Sequence, residues 1–372
     1  MKSILMIILA VFFNLAQASD KPSSEKIVIG QSVELSGEAT GKENMEGALV
    51  YFKWVNSHGG VYGRQIELKT YDDKRKPDIT RANTEKLIKE DHALALFGYR
   101  STPTVEAVLP ILIAEKIPMI APFSGAQVLH QPMNPFLFHL RASYQDEAKE
   151  IVETLPPLGI SRIAILYQDD SFGKDGLDGF KRNLALSRIK ALAEVSYDRK
   201  DLKIDHALNE IVSVNPQAVL MACTPSVCAD FVKQMHKRGF FPRFLSLSNV
   251  SSDSFYRSLG DDGRGVGVMQ VMPYPKGLDT PIVREFQHVL KGTDNAPQIS
   301  YATLEGFVAA KLLTEGLRRA GPSINREKLM AAFHSMRNFD LGGVKVTYTP
   351  TTHEGSKFVE LSVVGKNGAI NR

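Results

Sequence analysis

From Ile27 to Pro122 the chain repeats one unit, a short apolar or alternating run followed by an amphipathic helical stretch, and that repeat admits few folds. Ile27-Val28-Ile29-Gly30 reads as a strand, and Met45, Ala48, Leu49, Phe52 and Val55 then recur at helical spacing until Gly59-Gly60. Gln65 to Tyr71 alternates as a strand does, Asp78 is the expected cap of a helix reaching Glu90, and Ala93 to Phe97 is a buried-type strand ending at Gly98. Pro103 suits the first turn of a helix running to Glu115, and Pro118 to Ala121 is the next strand. Strands separated by helices pair in parallel through crossover connections, so the pattern demands a sheet covered on both faces.

The pattern then restarts. Arg162 to Tyr167, Ala218 to Ala222 and Arg243 to Leu247 are strands, with helices at Lys174 to Leu186, Ile204 to Val214 and Ser226 to Arg238. With 372 residues there is chain enough for two cores of roughly 150 residues each. Phe136 to Leu140 and Gly265 to Val271 read as strands that cross between the two halves, which makes them candidate hinges. Helices at Thr280 to Leu290, Ser300 to Arg319 and Arg326 to His334 have no parallel strand between them and are expected to cover the first half. Val344 to Tyr348 and Phe358 to Val364 read as a closing hairpin or a third crossing. The fold class is α/β, two Rossmann-like doubly wound lobes. The boundaries place residues 19–141 and 274–352 in lobe one and residues 142–273 and 353–372 in lobe two.

Lys2, the ten-residue apolar run Ile4 to Phe13 and the small-x-small triplet Ala16-Gln17-Ala18 form a cleavable export signal, with cleavage after Ala18 and a periplasmic destination. The run is too short to span a bilayer, and no later segment is long and apolar enough. Lys and Arg number 45 against 41 Asp and Glu, interspersed, a balance that suggests no nucleic-acid partner. Lys74-Arg75-Lys76 reads as a solvated loop. Cys223 and Cys228 are the two cysteines, a spacing that matches neither a CxxC redox pair nor a zinc pair, and leaves buried thiols or one bridge as the choices.

No catalytic or cofactor motif is complete. Gly37-Glu38-Ala39-Thr40-Gly41-Lys42 has three residues between its glycines where a phosphate-binding loop has four, and Glu43 stands where Ser or Thr would hold magnesium. Gly263-Arg264-Gly265-Val266-Gly267 leads into a strand, not from a strand into a helix. The nine histidines lack HExxH spacing, and no GxSxG elbow is present. Asp72-Asp73 and Asp169-Asp170 are read as strand-terminating pairs, the first neutralised by Lys74 and Arg75. The chain is therefore expected to be neither an enzyme nor a holder of metal or cofactor. A secreted hydrolase using Ser101 or Asp170 is the remote alternative.

Gly30-Gln31-Ser32-Val33-Glu34-Leu35-Ser36-Gly37, followed by Val55-Asn56-Ser57-His58-Gly59-Gly60-Val61-Tyr62-Gly63-Arg64, resembles the start of type I periplasmic binding proteins of the leucine/isoleucine/valine-binding family. Tyr71-Asp72-Asp73, Ile117 to Pro122, Phe138 to Arg141, Phe172-Gly173, Tyr301-Ala302 and Gly342-Gly343-Val344 extend the resemblance over nearly all of the chain. It implies two lobes joined by a three-strand hinge, a monomer, and a small solute held in the cleft for an ABC importer's membrane permease. The same fold can instead present solute to a membrane sensor.

Ligands of parallel sheets sit beyond the strands' carboxyl ends, at helix N-termini. Tyr99-Arg100-Ser101-Thr102 meets that description, with hydroxyl and N–H groups of Ser101 and Thr102 suited to a carboxylate. The resemblance adds Phe123, Ser124 and Gly125 for an amino-acid head group and Phe172 at a tyrosine position of the family. Where the family's amino-acid binders carry an acid for the ammonium, this chain offers Ser248 or Asn249. That loss opens the ligand to uncharged-tail carboxylates, amides or aromatic acids, unless Asp146 or Asp170 supplies the charge.

Overall fold

The computed structural model describes residues 26–37, 39–366 and 369–371; the export signal and its cleavage point at Ala18 lie outside them. The first sheet comprises β1 (Ile27–Val33), β2 (Ile66–Asp72), β3 (Ala95–Phe97), β4 (Met119–Ile120) and β5 (Leu137–Phe138), in the order β2-β1-β3-β4-β5 and parallel throughout. Alternation along these strands divides the core. Phe97, Ile120 and Phe138 face α1 (Ala39–Ser57), whereas Leu96, Met119 and Leu137 face α2 (Pro77–Lys89), α3 (Thr102–Glu106) and α4 (Leu109–Ala114).

The second sheet is built from β6 (Ile163–Gln168), β7 (Ala193–Tyr197), β8 (Ala218–Ala222), β9 (Arg243–Ser246) and β10 (Gly267–Gln270), parallel in the order β10-β9-β8-β6-β7. The helices α5 (Tyr144–Glu153), α6 (Ser171–Leu186), α7 (Asp205–Ser213), α8 (Pro225–Lys237) and α9 (Asp253–Leu259) cover it. α10 (Pro281–Lys291), α11 (Tyr301–Ala320) and α12 (Arg326–His334) return to the first lobe and share its core. There α1 and α11 touch backbone to backbone, because a Cβ on Gly47 or Gly306 would lie 1.9 Å from Thr303 O or Asn44 O.

Three local expectations change, and between the closing hairpin and the third crossing the structure takes the crossing. Asp78 lies one residue inside α2 and is not its cap; Lys76 is, with Pro77 opening the helix. The helix expected from Pro103 to Glu115 is two, α3 and α4, since Pro110 lacks an N–H and its ring would press on the carbonyl of Glu106. The strand read at Phe136 to Leu140 is the edge of the first sheet as β5, and Gly265 to Val271 contributes β10 to the second, so the chain crosses just after each. The last two strand segments do not pair with each other. β12 (Lys345–Val346) pairs with β11 (Phe339–Asp340), while β13 (Glu360–Val364) runs antiparallel to β10 and is edged by β14 (Ile370–Asn371). The chain therefore crosses a third time, between β12 and β13.

The first and third crossings lie side by side. His139 N donates to His353 O at 3.0 Å, Ser356 N to Leu140 O at 2.7 Å, and the Tyr348 hydroxyl to His139 O at 2.6 Å. Gly355 is needed at this contact, because a Cβ there would stand 2.3 Å from His139 O.

Candidate functional site

The carboxyl ends of both sheets face one cleft, whose walls close on a small cavity of about 20 Å³. The first lobe contributes Arg75 after β2, Arg100, Ser101 and Thr102 after β3, and Phe123 after β4; the second contributes Tyr144 and Phe172 at helix starts, Thr224 and Pro225 after β8, and Asn249 after β9. The lobes touch across it. Arg100 donates to Asn249 O at 2.9 Å, and Arg199 of the second lobe donates to Arg75 O.

Of the residues singled out in the sequence, Ser101, Thr102, Phe123 and Phe172 line this cavity. Ser101 sits at the N-cap of α3 with φ +82° and no capping bond from its side chain, a strained conformation that presents the loop to the cleft. The Thr102 hydroxyl is 2.8 Å from that of Ser124, so Ser124 supports the wall from behind it. Phe123 N donates to Tyr99 O at 2.8 Å, which keeps the loops after β3 and β4 in sheet-like register. Phe172 meets Tyr144 edge-on at 5.4 Å.

The remaining three are placed elsewhere. Gly125 lies under the first crossing, where a Cβ would come within 2.8 Å of Ala142 O. Tyr99 is wholly buried in the first lobe with its hydroxyl 3.0 Å from Thr84, and burial raises its pKa. Ser248 faces a buried cluster in which Glu147 accepts from its N–H at 2.7 Å and its hydroxyl at 2.8 Å. Its neighbour Asn249 takes the cavity position.

Arg141 anchors that cluster, 3.1 Å from Glu147 on α5 and 3.5 Å from Glu305 on α11, one partner on each lobe. Burial alone would lower the Arg141 pKa, but Glu305, Tyr144 and Glu147 hold it above the usual value, and burial raises that of Glu147. Glu43 on α1 makes a second link between the lobes. Its carboxylate accepts from Asp253 N at 3.1 Å and Ser254 N at 3.3 Å at the start of α9, and from the Ser300 hydroxyl at 2.6 Å. The close packing of α1 on α11 is what brings Glu43 and Ser300 together.

Arg75 is the cavity residue that sequence reasoning missed most completely. Lys74 and Arg75 both adopt positive φ, +50° and +55°, and this turn carries Arg75 inward, with Nε 3.7 Å from Glu34. Asp72 and Asp73 are satisfied mainly by hydrogen bonds: Asp72 accepts from Leu35 N, Ser36 and Lys74 N, with the charge of Lys74 adding to them, and buried Asp73 from Ser32, Thr80 and Arg75 N. Burial, then the charge of Arg75, lower the Arg199 pKa. Among the described residues no carboxylate lines the cavity. Asp146 instead closes a capping box with Ser143 and pairs with Lys357 at 3.1 Å, and Asp170 caps α6 and pairs with Arg199 at 2.9 Å. Cys223 and Cys228 form a disulfide that brackets Thr224-Pro225. Among the described residues no group of three or more His, Cys, Asp or Glu is arranged to hold a metal, and no helix is long and apolar enough to cross a membrane.

Two parallel α/β lobes, three crossings and a cavity shared between facing strand ends define a bilobal binding protein for a small molecule. The chain belongs to the periplasmic binding protein family, whose pattern it matches over residues 26–369, as a type I member of the leucine/isoleucine/valine-binding group. It is similar to a substrate-binding periplasmic protein from Ralstonia solanacearum, with 33% identity, a TM-score of 0.88 and coverage of 93% of this chain and 99% of that one. A possible leucine/isoleucine/valine-binding protein from Rhodopirellula baltica shows 28% identity, a TM-score of 0.86 and coverage of 93% and 96%. A Leu/Ile/Val-binding protein homologue from Brucella melitensis is 21% identical, over 87% of this chain and 88% of its own. The family binds solutes and is not one of enzymes.

Proposed function

We infer that this protein captures a small solute in the periplasm by closing its lobes, and delivers it to the membrane permease of an ABC importer. The observation that carries the reading is the cavity itself, to which each lobe gives half the wall, with Arg100 of one lobe bonded to the backbone of Asn249 in the other. A solute held by both halves stabilises the closed form by its differential affinity, and the closed form is then the surface a permease recognises. Lobe one comprises residues 19–141 and 274–352, lobe two the rest, and the mature monomer begins at Ser19. Ser101, Thr102, Phe123 and Phe172 contact the solute; Ser124 and Gly125 hold the loop that does so.

The test is a thermal-shift screen of the mature protein against amino acids, hydroxy acids, simple carboxylates, aromatic acids and amides, followed by small-angle scattering with the best hit. A rise in melting temperature together with a smaller radius of gyration is expected. A hit that leaves the scattering unchanged, or one unaffected by Ser101→Ala and Phe172→Ala, refutes closure around this cavity.

A further inference from the structure

The charges around the cleft narrow the solute beyond what its relatives' names suggest. Ten residues line the cavity; two are arginine and none is aspartate or glutamate. The carboxylates that flank it are committed elsewhere. Glu34 faces Arg75, Asp170 holds Arg199 and the start of α6, and Asp146 holds Ser143 and Lys357. Glu147 is enclosed with Arg141 and Ser248, and Glu43 with α9 and Ser300. A ligand ammonium placed beside Arg75, Arg100 and the nearby Arg199 would find no carboxylate of its own in the wall, since Glu34 and Asp170 already hold Arg75 and Arg199.

The polar atoms left unsatisfied in the wall specify the complement. Arg75 Nε is buried, and the carboxylate it faces, Glu34 at 3.7 Å, stands beyond hydrogen-bond distance, so a ligand carboxylate oxygen can supply a closer acceptor. Asn249 gives its amide N–H to Cys223 O at 2.8 Å, which leaves a buried Oδ1 with no donor, and a hydroxyl supplies that without adding charge. Phe123, Tyr144, Phe172 and Pro225 form the apolar part of the wall, beside Ser101, Thr102 and Thr224, of which Thr224 Oγ1 is also buried with no hydrogen-bond partner and can serve a hydroxyl or carboxylate. We propose that the solute is an organic acid, preferably a hydroxy acid, with a compact apolar body and no ammonium group beside its carboxylate. The proposal rests on the reading of this cleft as a solute site, and it sets this chain apart from amino-acid binders of the same fold.

Two matched series isolate the one group at issue: leucine, 2-hydroxy-4-methylpentanoate and 4-methylpentanoate, and phenylalanine, 3-phenyllactate and 3-phenylpropanoate. Calorimetric titration of the mature protein is expected to give, in at least one series, an acid or hydroxy acid binding at least tenfold tighter than its amino acid. Arg75→Met removes one cation and frees Glu34, so it is expected to narrow that gap by raising affinity for the amino acid; a single cooperative urea transition shows that the variant folds, even with its midpoint lowered by the unpaired Glu34. An amino acid binding as tightly as its partners overturns the proposal, as does a gap that survives Arg75→Met undiminished. If neither series binds, a tight hit from the broader screen that carries an ammonium also overturns it, and one that lacks an ammonium supports it. Failure of every solute class removes the solute-binding reading and the proposal together.

Discussion

Glu43 offers a measure of how much closure depends on contacts the solute never touches. In this structure its carboxylate accepts two backbone N–H groups from α9 of the other lobe, at 3.1 and 3.3 Å, while its bond to Ser300 stays within its own lobe. Opening breaks the first two and spares the third. A hydrogen bond to a charged group contributes about 1.5–3 kcal/mol net, and the carboxylate regains water when the lobes part, so the lower value suits each. Glu43→Ala therefore removes about 3 kcal/mol from closure, roughly 100-fold in the affinity of a solute that binds the closed form. Glu43→Gln retains one acceptor and is expected to lose about tenfold. The assay is calorimetric titration with the tightest solute from the screen, with Glu46→Ala as control, since that side chain makes only a surface pair with Lys42 at 3.8 Å. A Glu43→Ala protein that folds normally and binds within twofold of the wild type refutes the reasoning, for the interlobe bonds would then contribute nothing to closure.

Arg141→Met should destabilise the protein by about 3–5 kcal/mol in urea titration, because it leaves Glu147 buried without its cation, and adding Glu147→Gln should restore part of that loss. His130, stacked at 3.7 Å on His139, has its pKa lowered from 6.5 to about 4, first by burial and then by Lys357 and Arg141. The folded state thus favours the neutral ring, and stability present above pH 6.5 is lost as pH falls towards 4, by roughly 2 kcal/mol at about pH 5; His130→Gln should flatten that part of the pH profile. Asp175 bonds Gln127 N across the lobes at 2.8 Å with its pKa raised from 3.8 to about 6 by burial, so the folded form loses stability as pH rises between those values and stays at the lower level above them. Asp175→Asn keeps an acceptor and should raise the melting temperature at pH 8 while leaving it nearly unchanged below pH 4.

Most of the fold was legible because parallel strands buried on both faces leave uninterrupted apolar runs, such as Ala218 to Ala222, and because helices reveal themselves by period. β7 was not legible: in Ala193-Glu194-Val195-Ser196-Tyr197 only two of five residues are buried, as suits the edge of a sheet. The cleft was legible as a set of loops, since the rule that places ligands at strand ends needs only the strands. Cavity-lining residues were legible at Ser101, where a loop leads straight into a helix, and at Phe123 and Phe172 only through the family resemblance. Arg75 was not, because nothing in Lys74-Arg75-Lys76 announces two consecutive positive φ angles at non-glycine residues, and by composition the segment reads as solvated. Ser248 and Asn249 show the limit at its finest, for a one-residue rotation in the short turn after β9 decides which side chain meets Glu147 and which lines the cavity.

The pairing of the first and third crossings limits how this molecule can move. Residues some 200 positions apart in the chain are laced together by His139 N to His353 O and Ser356 N to Leu140 O, and the bare Cα of Gly355 lets them lie flush. Three separate tethers would let one lobe twist, slide or swing against the other. With two of them fused into a single strap, the remaining crossing supplies the only independent second point of attachment, and two points fix an axis. The expected motion is that of a door on two pins, so Arg100 and Asn249 come back to the same register each time it shuts.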